Sequence, residues 1–139
     1  MPVNQQYPYD AELNLKDSGS VTSSGAESTI VDIGAGIIED GVIVIDVTTL
    51  EVASTDEIYT ICLEGSNVAA MTSGSVTLAR IEMGNAAAPA DADTATGRFI
   101  VPFQNEQNNT LYRYVRAHTI VAGTIDSTGI TYSAFISTR

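Results

Sequence analysis

VIVIDVTT, residues 42–49, is the stretch on which the fold turns. It is a run of β-branched residues, which lose rotamer freedom in a helix and pack well on a pleated surface. Side chains alternate across a strand, so Ile43, Ile45 and Val47 share one face while Val44, Asp46 and Thr48 share the other. The turn residues Glu39, Asp40 and Gly41 precede it. Upstream, STIVDI (28–33) stops at the Gly34–Gly36 pair. Downstream the pattern repeats. IYTICLEG (58–65) sets Tyr59, Ile61 and Leu63 against Thr60, Cys62 and Glu64. SVTLARIEM (75–83) places Val76 and Leu78 on one face, then Ala79, Ile81 and Met83 on the other. RFIVPF (98–103) carries Phe99, Val101 and Phe103 on one side, and Pro102 marks its end as an edge or bulge. TLYRYVRAHTIVAG (110–123) reads as the longest strand, and GITYSAFIST (129–138) sets Ile130, Tyr132, Ala134 and Ile136 against Phe135. Seven or so strands at regular spacing, divided by Gly, Asp, Asn and Ser, predict an antiparallel sandwich or barrel. NVAAM (67–71) is too short for more than one helical turn.

The 139 residues suit one domain. Residues 1–28 read as an extended N-terminal arm, with Tyr7, Tyr9 and Leu13 as apolar anchors, and residues 29–139 as a single β-sandwich domain. A short strand is expected at 11–15, where AELNL alternates. The Ala-rich stretch 85–97 reads as a long contact or solvent loop. Net charge is −11, and its distribution is uneven. Residues 1–70 hold 12 acidic side chains and one basic one, Lys16, whereas residues 71–139 hold five of each. This separation reads either as solubility of a small domain or as an acidic surface for a basic partner, with a second, arginine-bearing surface elsewhere. Such an acidic chain is a poor nucleic-acid binder, because the phosphate backbone repels it. No apolar run approaches the roughly 20 residues of a membrane-spanning helix, and MPVNQQYPYD lacks the pattern of a signal peptide. Synthesis and residence without membrane passage are expected.

Reactive side chains are scarce. Cys62 and His118 are single copies, so a Cys–His nucleophile pair is conceivable, but a core thiol and a strand imidazole are the expected roles. A zinc site needs three or four Cys or His ligands, which the chain does not have. Asp91 and Asp93 lack the glycine and closing glutamate of a calcium loop. Gly34, Gly36 and Gly41 miss the dinucleotide spacing. No cofactor, no metal and no enzymatic activity are expected. The informative cluster is Tyr112, Arg113, Tyr114, Val115, Arg116, Ala117, His118, in which Tyr112, Tyr114, Arg116 and His118 are expected on one strand face. Tyr and Arg are the usual anchors of protein interfaces.

GRFIVPF (97–103), LYRYVRAHTIVAGT (111–124) and GITYSAFIST (129–138), together with Tyr9–Asp10, STIVDIGAG and VIVIDVTT, resemble the jelly-roll cement proteins of tailed-phage heads, as in a Bordetella podophage. That resemblance implies a jelly-roll-like β-sandwich with no enzymatic role. It implies binding to the outer surface of the major capsid protein shell of the virion, after synthesis in the host cytoplasm. It implies self-association as well, with a homodimer ahead of a homotrimer. Tyr7, Tyr9, Leu13, Tyr112, Tyr114 and Arg116 are the expected contact residues. The alternative is a non-catalytic β-sandwich that binds carbohydrate or serves adhesion on a phage or bacterial surface. A hydrolase built around His118 is a third, remote class.

Overall fold

The computed structural model describes residues 7–85 and 94–138. Among the described residues there is no α-helix. A single 3-10 turn, Ala11–Leu13, precedes the strands β1 (Asn14–Val21), β2 (Gly25–Ala26), β3 (Val31–Asp32), β4 (Gly41–Leu50), β5 (Ile58–Ser66), β6 (Val76–Met83), β7 (Gly97–Phe103), β8 (Glu106–Gln107), β9 (Thr110–Leu111), β10 (Tyr114–Ala122) and β11 (Ile130–Thr138). The first sheet runs β1-β11-β4-β7. The second runs β2-β10-β5-β6, with β3 also on β10. Every pair is antiparallel. The pairings nest: β1 with β11, β2 and β3 with β10, β4 with β7, β5 with β6. The chain thus folds as one long hairpin rolled over itself, all-β, into an antiparallel β-sandwich.

The alternation in the sequence becomes the core. Ile43, Ile45 and Val47 of β4 and Ile130, Tyr132, Ala134 and Ile136 of β11 face Tyr59, Ile61 and Leu63 of β5 and Val115 and Ala117 of β10. Thr119 Oγ1 and the Tyr132 hydroxyl meet at 2.6 Å inside it and join the two sheets. Burial pushes the phenol of Tyr132 up to about 12. In β6 the pairing with β5 skips Leu78, a bulge that lets Leu78, Ala79 and Ile81 all pack on the core. The expected change of face within SVTLARIEM is this bulge.

Three expectations change. Residues 11–15 are not a strand throughout, because Asp10 caps a 3-10 turn by accepting from the Glu12 amide at 2.9 Å. The strand expected over 110–123 is split. Asn108 and Asn109, with φ of 53° and 65°, make a two-residue turn between β8 and β9, and β10 begins only at Tyr114. The third change concerns the arm. From Asn14 onward it is part of the sandwich: β1 pairs with β11, Leu15 is buried in the core, and β2 pairs with β10. The physical reason is Leu15 and Lys16. Leu15 is apolar and faces the core, while the Lys16 ammonium lies 4.8 Å from the Tyr132 ring centre and donates to the carbonyls of Asp17 and Gly19.

Candidate protein-binding surfaces

The outer face of the first sheet is apolar where β4 and β11 meet. Val42 and Val44 are fully buried there beside Phe135, and Tyr7 and Ile100 pack against them. Burial on both faces of VIVIDVTT is what its β-branched residues on both faces allow. The segment Tyr7–Tyr9 lies over this patch. The Ser137 hydroxyl donates to the Pro8 carbonyl at 3.0 Å, and the Tyr9 ring stands edge-on to Phe135, with centres 5.2 Å apart and planes at 87°. Tyr9 nonetheless stays 60% exposed, so one edge of its ring holds the sandwich while the rest faces outward. Arg98, paired in a fork with Asp46 at 2.7 and 2.9 Å, brings its guanidinium 5.9 Å from the Phe135 ring. Leu13, by contrast, is half-buried against the main core and contributes to the fold.

The outer face of the second sheet carries Tyr114, Arg116, His118 and Ile120, which alternate with the buried Val115, Ala117 and Thr119. Glu64 on β5 lies between two of them. Its Oε2 accepts from Arg116 Nε at 2.9 Å, and its Oε1 lies 2.7 Å from His118 Nδ1. That second approach does not have hydrogen-bond geometry. Tyr112 falls outside this row. It precedes β10, is held by main-chain bonds to Asn105, and places its Cβ over Gly65. Arg113 is turned away from the row as well and forks onto Asp32 at 2.8 and 2.9 Å, with its guanidinium 5.5 Å from the Tyr114 ring. Arg113, with the Gly34 amide, holds the Asp32 carboxyl below the usual range.

Of the expected contact residues, then, Tyr7 and Tyr9 lie on one sheet and Tyr114 and Arg116 on the other. Leu13 and Tyr112 are half-buried structural residues. Residues 1–6 and 86–93, which include Asp91, Asp93 and most of the expected contact loop, lie outside the described residues.

Cys62 and His118 are opposite each other across β5 and β10. No hydrogen bond joins them, and burial pushes the Cys62 thiol up, away from the thiolate that nucleophilic chemistry uses. Among the described residues no group of three or more His, Cys, Asp or Glu is placed to hold a metal ion, and no helix is long and apolar enough to cross a membrane.

The ends of the sandwich are acidic. At the start of β4, Glu39, Asp40 and Glu106 border an open cleft floored by Leu78, Pro102 and Phe103. At the other end of β4, Glu51 is raised above its ordinary value, first by burial and then by Asp126 and Glu57. Asp56 there accepts from the amide and hydroxyl of Thr124, which hold its carboxyl low. Glu57 is fully buried, with Oε1 accepting from the Ser54 amide at 2.7 Å.

In the sequence the pairs Glu39–Asp40 and Asp56–Glu57 read as acidic turns before strands. The acidic turns were visible, but their meeting with Glu106 or Asp126 depends on long-range pairing. Compared with known protein families and with curated proteins, the chain matches none.

Proposed function

We propose that this chain is a structural decoration protein of tailed-phage heads. It binds the outer surface of the assembled major-capsid shell and holds neighbouring capsid subunits together. The observation that carries the reading is the nested strand pairing, first with last and inward to β5 with β6. A jelly roll is built this way, and a jelly roll is what the resemblance to cement proteins implies. Two further features support it. The Tyr9 ring, only edge-held, and the Tyr114–Arg116 row sit on different sheets, as suits a part that touches more than one neighbour. The acidic ends offer charge complementary to basic capsid segments. The carbohydrate-binding alternative asks for aromatic rings gathered on one platform, and Tyr9 and Tyr114 lie on opposite sheets.

The mechanism is mass action. A protein that binds the assembled lattice and not its free subunits stabilises the lattice in proportion to its occupancy. Many weak contacts per head multiply that effect. Co-sedimentation with expanded and unexpanded heads of the phage that encodes it is the test. Retention on expanded heads alone is expected. Equal recovery in the supernatant with both kinds of head contradicts the reading.

A further inference from the structure

Among the described residues the two sheets of the sandwich have four outer edges, and three of them are poorly suited to further pairing. β1 breaks register twice, between Asn14 and Lys16 and between Lys16 and Gly19, and the Lys16 ammonium already occupies the carbonyls of Asp17 and Gly19. On β7, Pro102 has no N–H to give and Gly97 has a positive φ of 145°, which leaves four residues, Arg98–Val101, whose one charge is already forked onto Asp46. β2 and β3 are two residues each. On β6 the Gln107 side chain donates to the Thr77 carbonyl and the bulge falls at Leu78, which closes the first part of that edge too.

The longest unobstructed stretch is Ala79–Met83. These five residues pair without a break to β5 on one side, and among the described residues they pair with no strand on the other. They contain no proline and no inward-pointing charge, two of the usual devices against edge pairing; their two edge charges, Arg80 and Glu82, are of opposite sign, and the bulge lies just before them, at Leu78.

The side chains on this edge say which strand it fits. Arg80 and Glu82 point outward together, 58% and 45% exposed, and are ion-paired to each other along the strand. Such an exposed pair contributes little to the fold. Consider a second copy laid antiparallel with Ile81 on the two-fold axis. Arg80 then faces Glu82 of the other copy, Glu82 faces its Arg80, and Ala79 faces Met83 in the inner row. Moving the axis to Arg80 sets arginine against arginine, and moving it to Glu82 sets carboxylate against carboxylate. One register alone is complementary.

We propose that Ala79–Met83 is a self-association edge, pairing antiparallel with the same segment of a second copy about an axis through Ile81. The proposal gives the self-association included in the cement reading a location, while its argument stands on β6 alone. The interface is isologous, so each charge contact occurs twice.

The test is analytical ultracentrifugation of the full chain, of R80E, of E82R and of the double exchange R80E/E82R. Wild type should be in monomer–dimer equilibrium. Each single exchange sets like charges opposite each other at both symmetry-related positions and should weaken the dimer roughly tenfold or more. The double exchange restores complementarity and should return most of the affinity. At concentrations where all are monomeric, the four proteins should melt alike, because both side chains are exposed. A monomeric wild type, a dimer indifferent to the single exchanges, or a double exchange no better than the singles overturns the proposal. Head co-sedimentation of the same proteins separates the two claims: wild type that dimerises as described yet binds no heads removes the cement reading and leaves this one standing.

Discussion

Tyr132 occupies a position where three kinds of interaction meet. Its ring is fully buried in the core, its hydroxyl meets Thr119 across the sandwich, and the Lys16 ammonium stands over its face. Replacement by Phe keeps the ring and leaves Thr119 Oγ1 buried without that partner, so Tyr132→Phe should cost about 1–3 kcal/mol in urea denaturation. The double variant T119V/Y132F removes both polar groups and should recover part of that loss. The same phenol makes a pH prediction. Its value in the fold, about 12, lies above the ordinary 10, so it contributes stability that is present below pH 10 and lost as pH rises toward 12. The melting temperature should fall above pH 10, and less steeply in Tyr132→Phe. Asn105 is the other decisive residue. Fully buried, it accepts from the Ile38 amide at 2.7 Å and donates to the carbonyls of Gly36 and Tyr112 at 2.9 and 3.1 Å. Asn105→Ala should cost roughly 2–4 kcal/mol, because three main-chain groups lose their partner at once. The inward faces of the strands, Tyr132 included, were legible from alternation. Asn105 was not, since its partner Ile38 is 67 positions away and nothing local marks a buried amide as different from a loop one.

At the level of elements, the N-terminal segment divides at Asn14. Before it, Tyr7–Leu13 is attached by the Ser137–Pro8 bond and by aromatic packing, whereas after it β1 is a full member of the first sheet. Deleting residues 1–17 should therefore damage the fold, whereas an arm over 1–28 would be dispensable to it. It removes Leu15 from the core and half of β1. Deleting residues 1–10 should lower the unfolding free energy by only about 1–2 kcal/mol, the value of uncovering a small apolar patch, and should still yield a cooperative melt. Deleting 1–17 should cost at least 3 kcal/mol, with loss of a core leucine and of strand pairing together. A shorter deletion as damaging as the longer one would show that the sandwich needs the Tyr7–Tyr9 segment. β1 was hidden by its own composition, because Ser18, Gly19 and Ser20 read as linker and the bulged register erases the alternation. The β8–β9 hairpin was legible after the fact. Asn-Asn between short flanks is a chemistry that tolerates positive φ at two successive positions.

For the whole molecule, the division of charge along the chain does not become a division in space. Arg98, Arg113 and Arg116 of the second half fork or bond onto Asp46, Asp32 and Glu64 of the first. Nested pairing makes this unavoidable, since it lays β7 against β4 and β10 against β3 and β5. The two-sided separation expected from the sequence is thereby corrected: the arginines of the second half neutralise acidic groups of the first, and clusters of acidic side chains sit at the two ends of β4, roughly 30 Å apart for a strand of that length. A decoration protein of this kind would meet basic capsid segments with its ends and apolar or aromatic ones with its faces. The central claim is that its binding strengthens a head. Heads stripped of the protein and then re-decorated with increasing amounts should release their contents at a temperature that rises and saturates with occupancy. A release temperature that stays constant while the protein is bound would contradict the account.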